Sequence, residues 1–236
     1  KNTNTHYGSE PVMESDLNTA DFNIFFALPA LVTIIVIIIL FSSKRWRALL
    51  WEHTLIAGLV ITLLLMNSIE LLTFGHIYKN YDLLLRAYYI ISIISSSLFL
   101  SLSERLNHQE IVPRYPLYIT IILINFGFIY SILNSDLLIF GALRTSYTIL
   151  RIPGNYYWLI QIFILFCLIA GTYLIWRSID RSKNPLDKKR RTVILYSFIP
   201  IIFTAFFVIT LMHFGLLINL SILLPLSTLV FLIAYL

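Results

Sequence analysis

Seven apolar segments, each about as long as a bilayer crossing, divide this chain, and the positive charge between them falls in every second loop. The segments read as 22–42, 52–74, 82–104, 115–134, 155–177, 191–214 and 217–236. Each is close to the ~20 residues that cross a hydrocarbon core. The loop at 44–47 holds three Lys and Arg, the loop at 105–114 two and the loop at 177–191 seven, together 12 of the 17 in the chain. Cytoplasmic loops carry such an excess. The expected fold is therefore an all-α membrane protein of seven transmembrane helices, with its N-terminus outside and its C-terminus inside. Residues 1–21 form a polar outer tail, and residues 22–236 form the helical domain. The chain is 58% hydrophobic and only 12% charged, where a soluble domain is about 25% charged. A core of this size cannot bury so much apolar surface, so the lipid bilayer is the expected partner. The net charge of +5 is accounted for by topology, and nucleic-acid binding is not expected.

The connection at 134–155 is too long for a simple link between helices. It is β-prone at Leu138-Ile139-Phe140-Gly141 and again at Tyr147-Thr148-Ile149-Leu150, and it ends on Pro153-Gly154. Two short strands with a turn near 142–145 are expected. On this topology the hairpin lies outside, over the helix ends, either as a lid that meets a ligand or as a seal on the bundle. The basic run Lys188-Lys189-Arg190-Arg191 reads as a solvated, lipid-facing loop, with contact to a downstream cytoplasmic domain as the alternative. Pro200 and Pro225 are bend points within the last two segments. The chain starts at Lys1 and stops at Leu236 on an apolar run, so both ends are expected to be truncations of a longer protein, and no signal peptide is visible.

Ionisable groups at membrane depth are costly and mark function. In this sequence they gather toward the outer ends of the segments. Glu70 and Asn67 share a face of the second segment. Arg86 opens the third and is followed by Tyr89. Asn125 and Tyr130 lie on the fourth, Tyr157, Trp158, Gln161 and Phe163 on the fifth, and His213 on the sixth. A Glu70–Arg86 ion pair across neighbouring helices is the simplest structural reading, and a pocket open to the outside is the functional one. The tyrosines and Trp158 also suit an ordinary aromatic belt. Ser95-Ser96-Ser97 and Gly171 are small residues of the kind that let helices approach closely.

Several chemistries are excluded. The last segment has no Lys for a retinal Schiff base. The His and acidic residues are too few at one depth for a metal site, and no cofactor is expected. There is neither a P-loop nor a dinucleotide motif. The lone Cys167 forms no intrachain disulfide.

The run Pro153-Gly154-Asn155-Tyr156-Tyr157, the helix end Trp176-Arg177-Ser178, the basic run 188–191, Phe198-Ile199-Pro200 and the final segment 217–236 with Pro225 are together similar to the seven-helix N-terminal sensor domain of bacterial histidine kinases, including membrane-bound autoinducer sensor kinases. The resemblance is clearest from residue 140 onward. It implies a ligand-sensing module in the inner membrane whose last helix leads to a cytoplasmic output domain in the same polypeptide, most often a histidine kinase. It also implies a homodimer. The module itself would not be an enzyme. The expected site is a small-molecule pocket in the outer half, capped by the 134–155 loop. Glu70, Arg86, Asn67, Asn125, Gln161 and His213 would serve as polar groups, and Tyr89, Tyr130, Tyr157, Trp158 and Phe163 as wall. A transporter or lipid-handling protein, and a structural membrane subunit, are the competing expectations.

Overall fold

The structure, a computed structural model, describes residue 35 and residues 51–74, 80–107, 115–144, 149–182 and 184–213. Among these are five helices and one hairpin, in the order α1 (Trp51–Phe74), α2 (Tyr81–Asn107), α3 (Tyr115–Asn134), β1 (Ile139–Arg144), β2 (Ile149–Pro153), α4 (Tyr157–Arg181) and α5 (Pro185–His213). Three of the helices, α2, α3 and α4, are long and apolar enough to cross a membrane, and α1 holds a shorter apolar stretch, Thr54–Ile69. At 27 residues, α2 is about 40 Å long at 1.5 Å per residue. The architecture is that of a helical membrane protein. The expected first and last segments, 22–42 and 217–236, lie outside the described residues apart from Ile35, which is helical.

The helix starts follow local chemistry. Asn80 accepts a bond from the Leu83 amide through its side chain (3.1 Å) and opens α2, as Asn does at an N-cap. Asn184 does the same for α5, taking the Leu186 amide at 3.0 Å, with Pro185 in the first helical position, where its missing N–H is not needed. Consequently α5 begins well before the expected 191, and the basic run 188–191 is helical rather than loop. Hydropathy marks only the part of a helix that lies in hydrocarbon, so it passes over a polar first turn.

The central rod is α2. It packs against α1, α3, α4 and both strands, while α5 packs on α4. One apolar cluster joins α1, α2, α4 and α5 around Leu59, Phe99, Leu102, Ile175 and Phe198, with the Phe99 and Phe198 rings stacked 3.9 Å apart. A second, under the hairpin, joins Tyr89, Ile93, Ile132, Ile139, Tyr157 and Ile160. In lipid, apolar side chains gain little by leaving the solvent, so close packing must do more of the holding. The α2 serines serve this. Ser92, Ser96, Ser101 and Ser103 each donate to the carbonyl four residues back, at 2.7–2.8 Å, and Ser92, Ser96 and Ser103 lie on one side of the helix, which leaves a narrow, satisfied face there.

Gly171 on α4 meets that face. A Cβ there would lie 2.7 Å from Phe99 Cε1 and 3.0 Å from Ser103 Oγ. The Phe99 ring is fully buried and stacked on Phe198, so it has no room to move. Gly171→Ala is expected to destabilise the bundle by about 1–3 kcal/mol, the usual effect of overpacking a core. Unfolding in a denaturing detergent series measures this, and Gly171→Leu should be worse.

The hairpin is present but shifted from its expected place. β1 and β2 are antiparallel, with Ala142 opposite Arg151 and Gly141 opposite Ile152. Residues 142–144, expected in the turn, are strand, and 145–148 lie outside the described residues. A bulge at Phe140 separates Ile139, which is fully buried, from Phe140, which is exposed.

Candidate functional site

The hairpin seats on the ends of α2 and α4 through two arginines. Arg86, in the second turn of α2, sits at the corner where α3 ends and the hairpin begins. Its Nε donates to Asp82 Oδ2 (2.8 Å) and its Nη2 to Asp136 Oδ1 (2.7 Å) and to the Ile139 carbonyl (3.2 Å). Its Nη1 donates to the carbonyls of Ile132 and Ser135. Those last two belong to the end of α3, which has no basic residue of its own in its last turn and whose final carbonyls need donors. All five N–H groups of Arg86 thus meet protein acceptors. Among the described residues the carboxylates that meet Arg86 are Asp82 and Asp136; the Glu70 side chain, expected as its partner, lies outside the described residues. A guanidinium has five N–H donors, more than one carboxylate takes up, and Arg86 sits at a corner that offers it carbonyls as well as charge.

Arg151, on β2, reaches inward from the hairpin. Its Cζ lies 5.1 Å from the Tyr157 ring centroid and 6.0 Å from that of Tyr89, within cation–π range. Burial acts to lower its pKa, but the Tyr89 and Tyr157 oxygens and a hydrogen bond with Tyr89 outweigh this and hold it above the ordinary arginine value. It stays charged.

The two phenols meet beneath it. Tyr89 and Tyr157 are 4% and 3% exposed, their hydroxyls are 2.7 Å apart, and their rings meet edge to face at 5.6 Å. Gln161, one turn further along α4, donates its amide to the Tyr157 hydroxyl. Arg151, Tyr89, Tyr157 and Gln161 therefore form one polar chain drawn from β2, α2 and α4, set in an apolar cluster and roofed by a hairpin. Such a chain offers hydrogen-bonding and charged groups beside apolar rings, the combination that ligand pockets use.

Three expected residues, Tyr89, Tyr157 and Gln161, are thus brought together. Asn125 pairs elsewhere, accepting from Ser97 at 2.9 Å, whereas Phe163 meets Phe128 at 5.1 Å and packs against the apolar cluster that holds Tyr89 and Tyr157. Asn67 is fully buried in α1. Tyr130 and Trp158 face outward, 71% and 53% exposed: Trp158 is about 100° of helix from buried Tyr157, and Tyr130 about 200° from buried Ile132. The His213 side chain lies outside the described residues, as does that of Glu70.

Sequence reading missed Arg151. Its signal was an Arg between two apolar residues in a strand, where alternation puts it on the face opposite Ile152. Sequence reading also missed the far end of the bundle, where the inner halves looked apolar. There Glu104 is 5% exposed and Asn107 6%. Tyr118 of α3 donates to Glu104 Oε2 at 3.1 Å, and Arg191 donates to the carbonyls of Leu106 and Ser178, both at 3.0 Å. No group of three or more His, Cys, Asp or Glu that would hold a metal ion occurs among the described residues. Comparison with known proteins gives no relative for this chain: no family model, no curated protein and no solved structure matches it.

Proposed function

We propose that this chain is the ligand-sensing module of a membrane receptor: seven helices in the cell inner membrane, N-terminus outside and C-terminus inside. A small extracytoplasmic molecule binds at the hairpin end. The last segment, 217–236, relays the change to a cytoplasmic output domain of histidine kinase type, in a homodimer. The observation that carries this reading is the buried polar chain Arg151–Tyr89–Tyr157–Gln161. A purely structural roof needs no charge at that depth, since buried charge is costly. The chain also joins the hairpin to α2 and α4, so a ligand that alters it biases the relative position of two long helices. Only a difference in affinity between the two arrangements drives such a shift.

The test is a thermal-shift screen of the protein in detergent with hydroxyketones, fatty acids, lactones and short peptides, repeated on Tyr157→Phe. That variant keeps the ring and removes the oxygen that joins Tyr89 to Gln161. The expected result is a stabilising compound whose affinity falls about tenfold in the variant, the effect of one hydrogen bond of roughly 1.4 kcal/mol. A stabilising compound that binds the variant equally well would refute the site.

A second reading, a transporter, draws on Glu104 and its Tyr118 partner at the opposite end. Buried polar groups at both ends of α2 suit a substrate that is passed along it. Uptake by reconstituted vesicles that is lost in Glu104→Gln would favour this reading over the receptor.

A further inference from the structure

We infer that the turn between α4 and α5 is a docking surface for anionic lipid headgroups, and that such lipids hold the start of α5 in place. This rests only on α4 crossing the bilayer and is independent of the ligand reading.

The apolar body of α4 ends in Trp176, Arg177 and Arg181. Tyr173 and Trp176 are 53% and 56% exposed, and their rings lie 6.2 Å apart. Exposed aromatic residues beside basic ones, at the end of a spanning helix, mark the depth of the headgroups. Arg177, Arg181, Lys188, Lys189 and Arg190 are all exposed at this end, against the two carboxylates Asp180 and Asp187. The patch is therefore strongly positive at the depth where lipid phosphates lie.

The placement within α5 sharpens the argument. Its first two turns hold Asp187, Lys188, Lys189, Arg190 and Arg191. Cations near a helix N-terminus oppose the macrodipole, which favours negative charge there. Arg177 and Arg181 suit the end of α4, whereas the α5 cations are placed against their own helix. Asp187 is the one acidic residue in these turns. An anionic surface supplies negative charge at that helix start, and charge complementarity selects lipid because the patch sits at headgroup depth.

The consequence reaches the bundle. Arg191 does not face the patch. It donates to the Leu106 and Ser178 carbonyls, at the ends of α2 and α4, which need donors. Holding the start of α5 keeps this clasp closed, so the anionic content of the leaflet sets how firmly α2, α4 and α5 are tied at this end.

The experiment places the whole protein in nanodiscs of phosphatidylcholine and phosphatidylglycerol in equal amounts. It measures which lipids stay bound on gentle release, and amide exchange at 186–192. A basic residue near an anionic surface contributes about a fivefold preference, so Lys188→Gln/Lys189→Gln/Arg190→Gln is expected to lower phosphatidylglycerol retention by on the order of 100-fold. High salt should do the same through screening. In the wild type, exchange at 186–192 should be slower with phosphatidylglycerol than without it. Asp187→Asn, which removes a competing carboxylate without touching a cation, should raise retention. Equal retention by wild type and triple variant, or equal exchange with and without phosphatidylglycerol, would overturn the inference.

Discussion

Gly154→Ala is expected to unseat the hairpin. A Cβ at this position would lie 2.3 Å from the Leu137 carbonyl oxygen, 2.5 Å from that of Asp136 and 2.5 Å from the Leu137 carbonyl carbon. All three are backbone atoms, so no side chain can turn aside to make room. The turn that holds them is itself fixed: Gly154 donates its amide to Leu138 (3.1 Å) and Tyr156 donates to Leu137 (2.9 Å). These two bonds fasten the junction between β2, which carries Arg151, and α4, which carries Tyr157, to the segment that leads from α3 into β1. A methyl group at 154 must break them. We expect a loss of roughly 3 kcal/mol, the upper end of the overpacking range, with faster exchange at the amides of Gly154 and Tyr156. The same change at Gly127, in the interior of α3, meets nothing within 4 Å and should stabilise that helix by roughly 0.5–1 kcal/mol. One substitution type with opposite signs at two positions separates close approach from general glycine propensity. Wild-type exchange at 154 and 156 in Gly154→Ala would show that the backbone contacts are not what holds the hairpin.

The sequence made the helical membrane character legible, because long apolar runs and the placement of Lys and Arg report on solvent, and solvent acts residue by residue. Segment 115–134 matches α3 for this reason: it leans on little but α2, and most of its side chains face outward. The start of α5 was not legible from hydropathy, because Asn184 and Pro185 set it by local capping. Tyr89, Tyr157 and Gln161 were found as polar groups near one end, but Trp158 and Tyr130 looked the same, since composition does not say which side of a helix faces in. Arg151 was invisible as a site residue for a related reason. Its inward direction depends on the register that places it opposite Ala142, and register is set by pairing rather than by the strand's own residues. The described partners of Arg86 were not legible either, because charge points to an acid on a neighbouring helix, whereas three carbonyls and two carboxylates converge on this guanidinium where α3 ends.

Arg86→Met is expected to be the most damaging substitution of a charged side chain among the described residues. Two contributions must be separated. The carboxylates it bridges, Asp82 and Asp136, are 47% and 64% exposed, and exposed ion pairs contribute about 0–1 kcal/mol. The carbonyls of Ile132, Ser135 and Ile139 are different. Ile132 and Ile139 are fully buried residues, and an acceptor that loses a charged donor in such a place costs about 1.5–3 kcal/mol. The methionine variant should therefore lose on the order of 3 kcal/mol, and Asp136→Asn less than about 1 kcal/mol, both read from unfolding in detergent. Arg86→Lys should fall between them, since one ammonium cannot reach five acceptors at once. The ranking decides what Arg86 does. If the carbonyls dominate, Arg86 is the pin that holds the end of α3 and the start of the hairpin against α2, and it positions Arg151 and the two tyrosines from a distance. If Arg86→Met and Asp136→Asn are equal and small, the corner is held by packing around Ile132 and Ile139 instead, and Arg86 is then available to a ligand, as the sequence first implied.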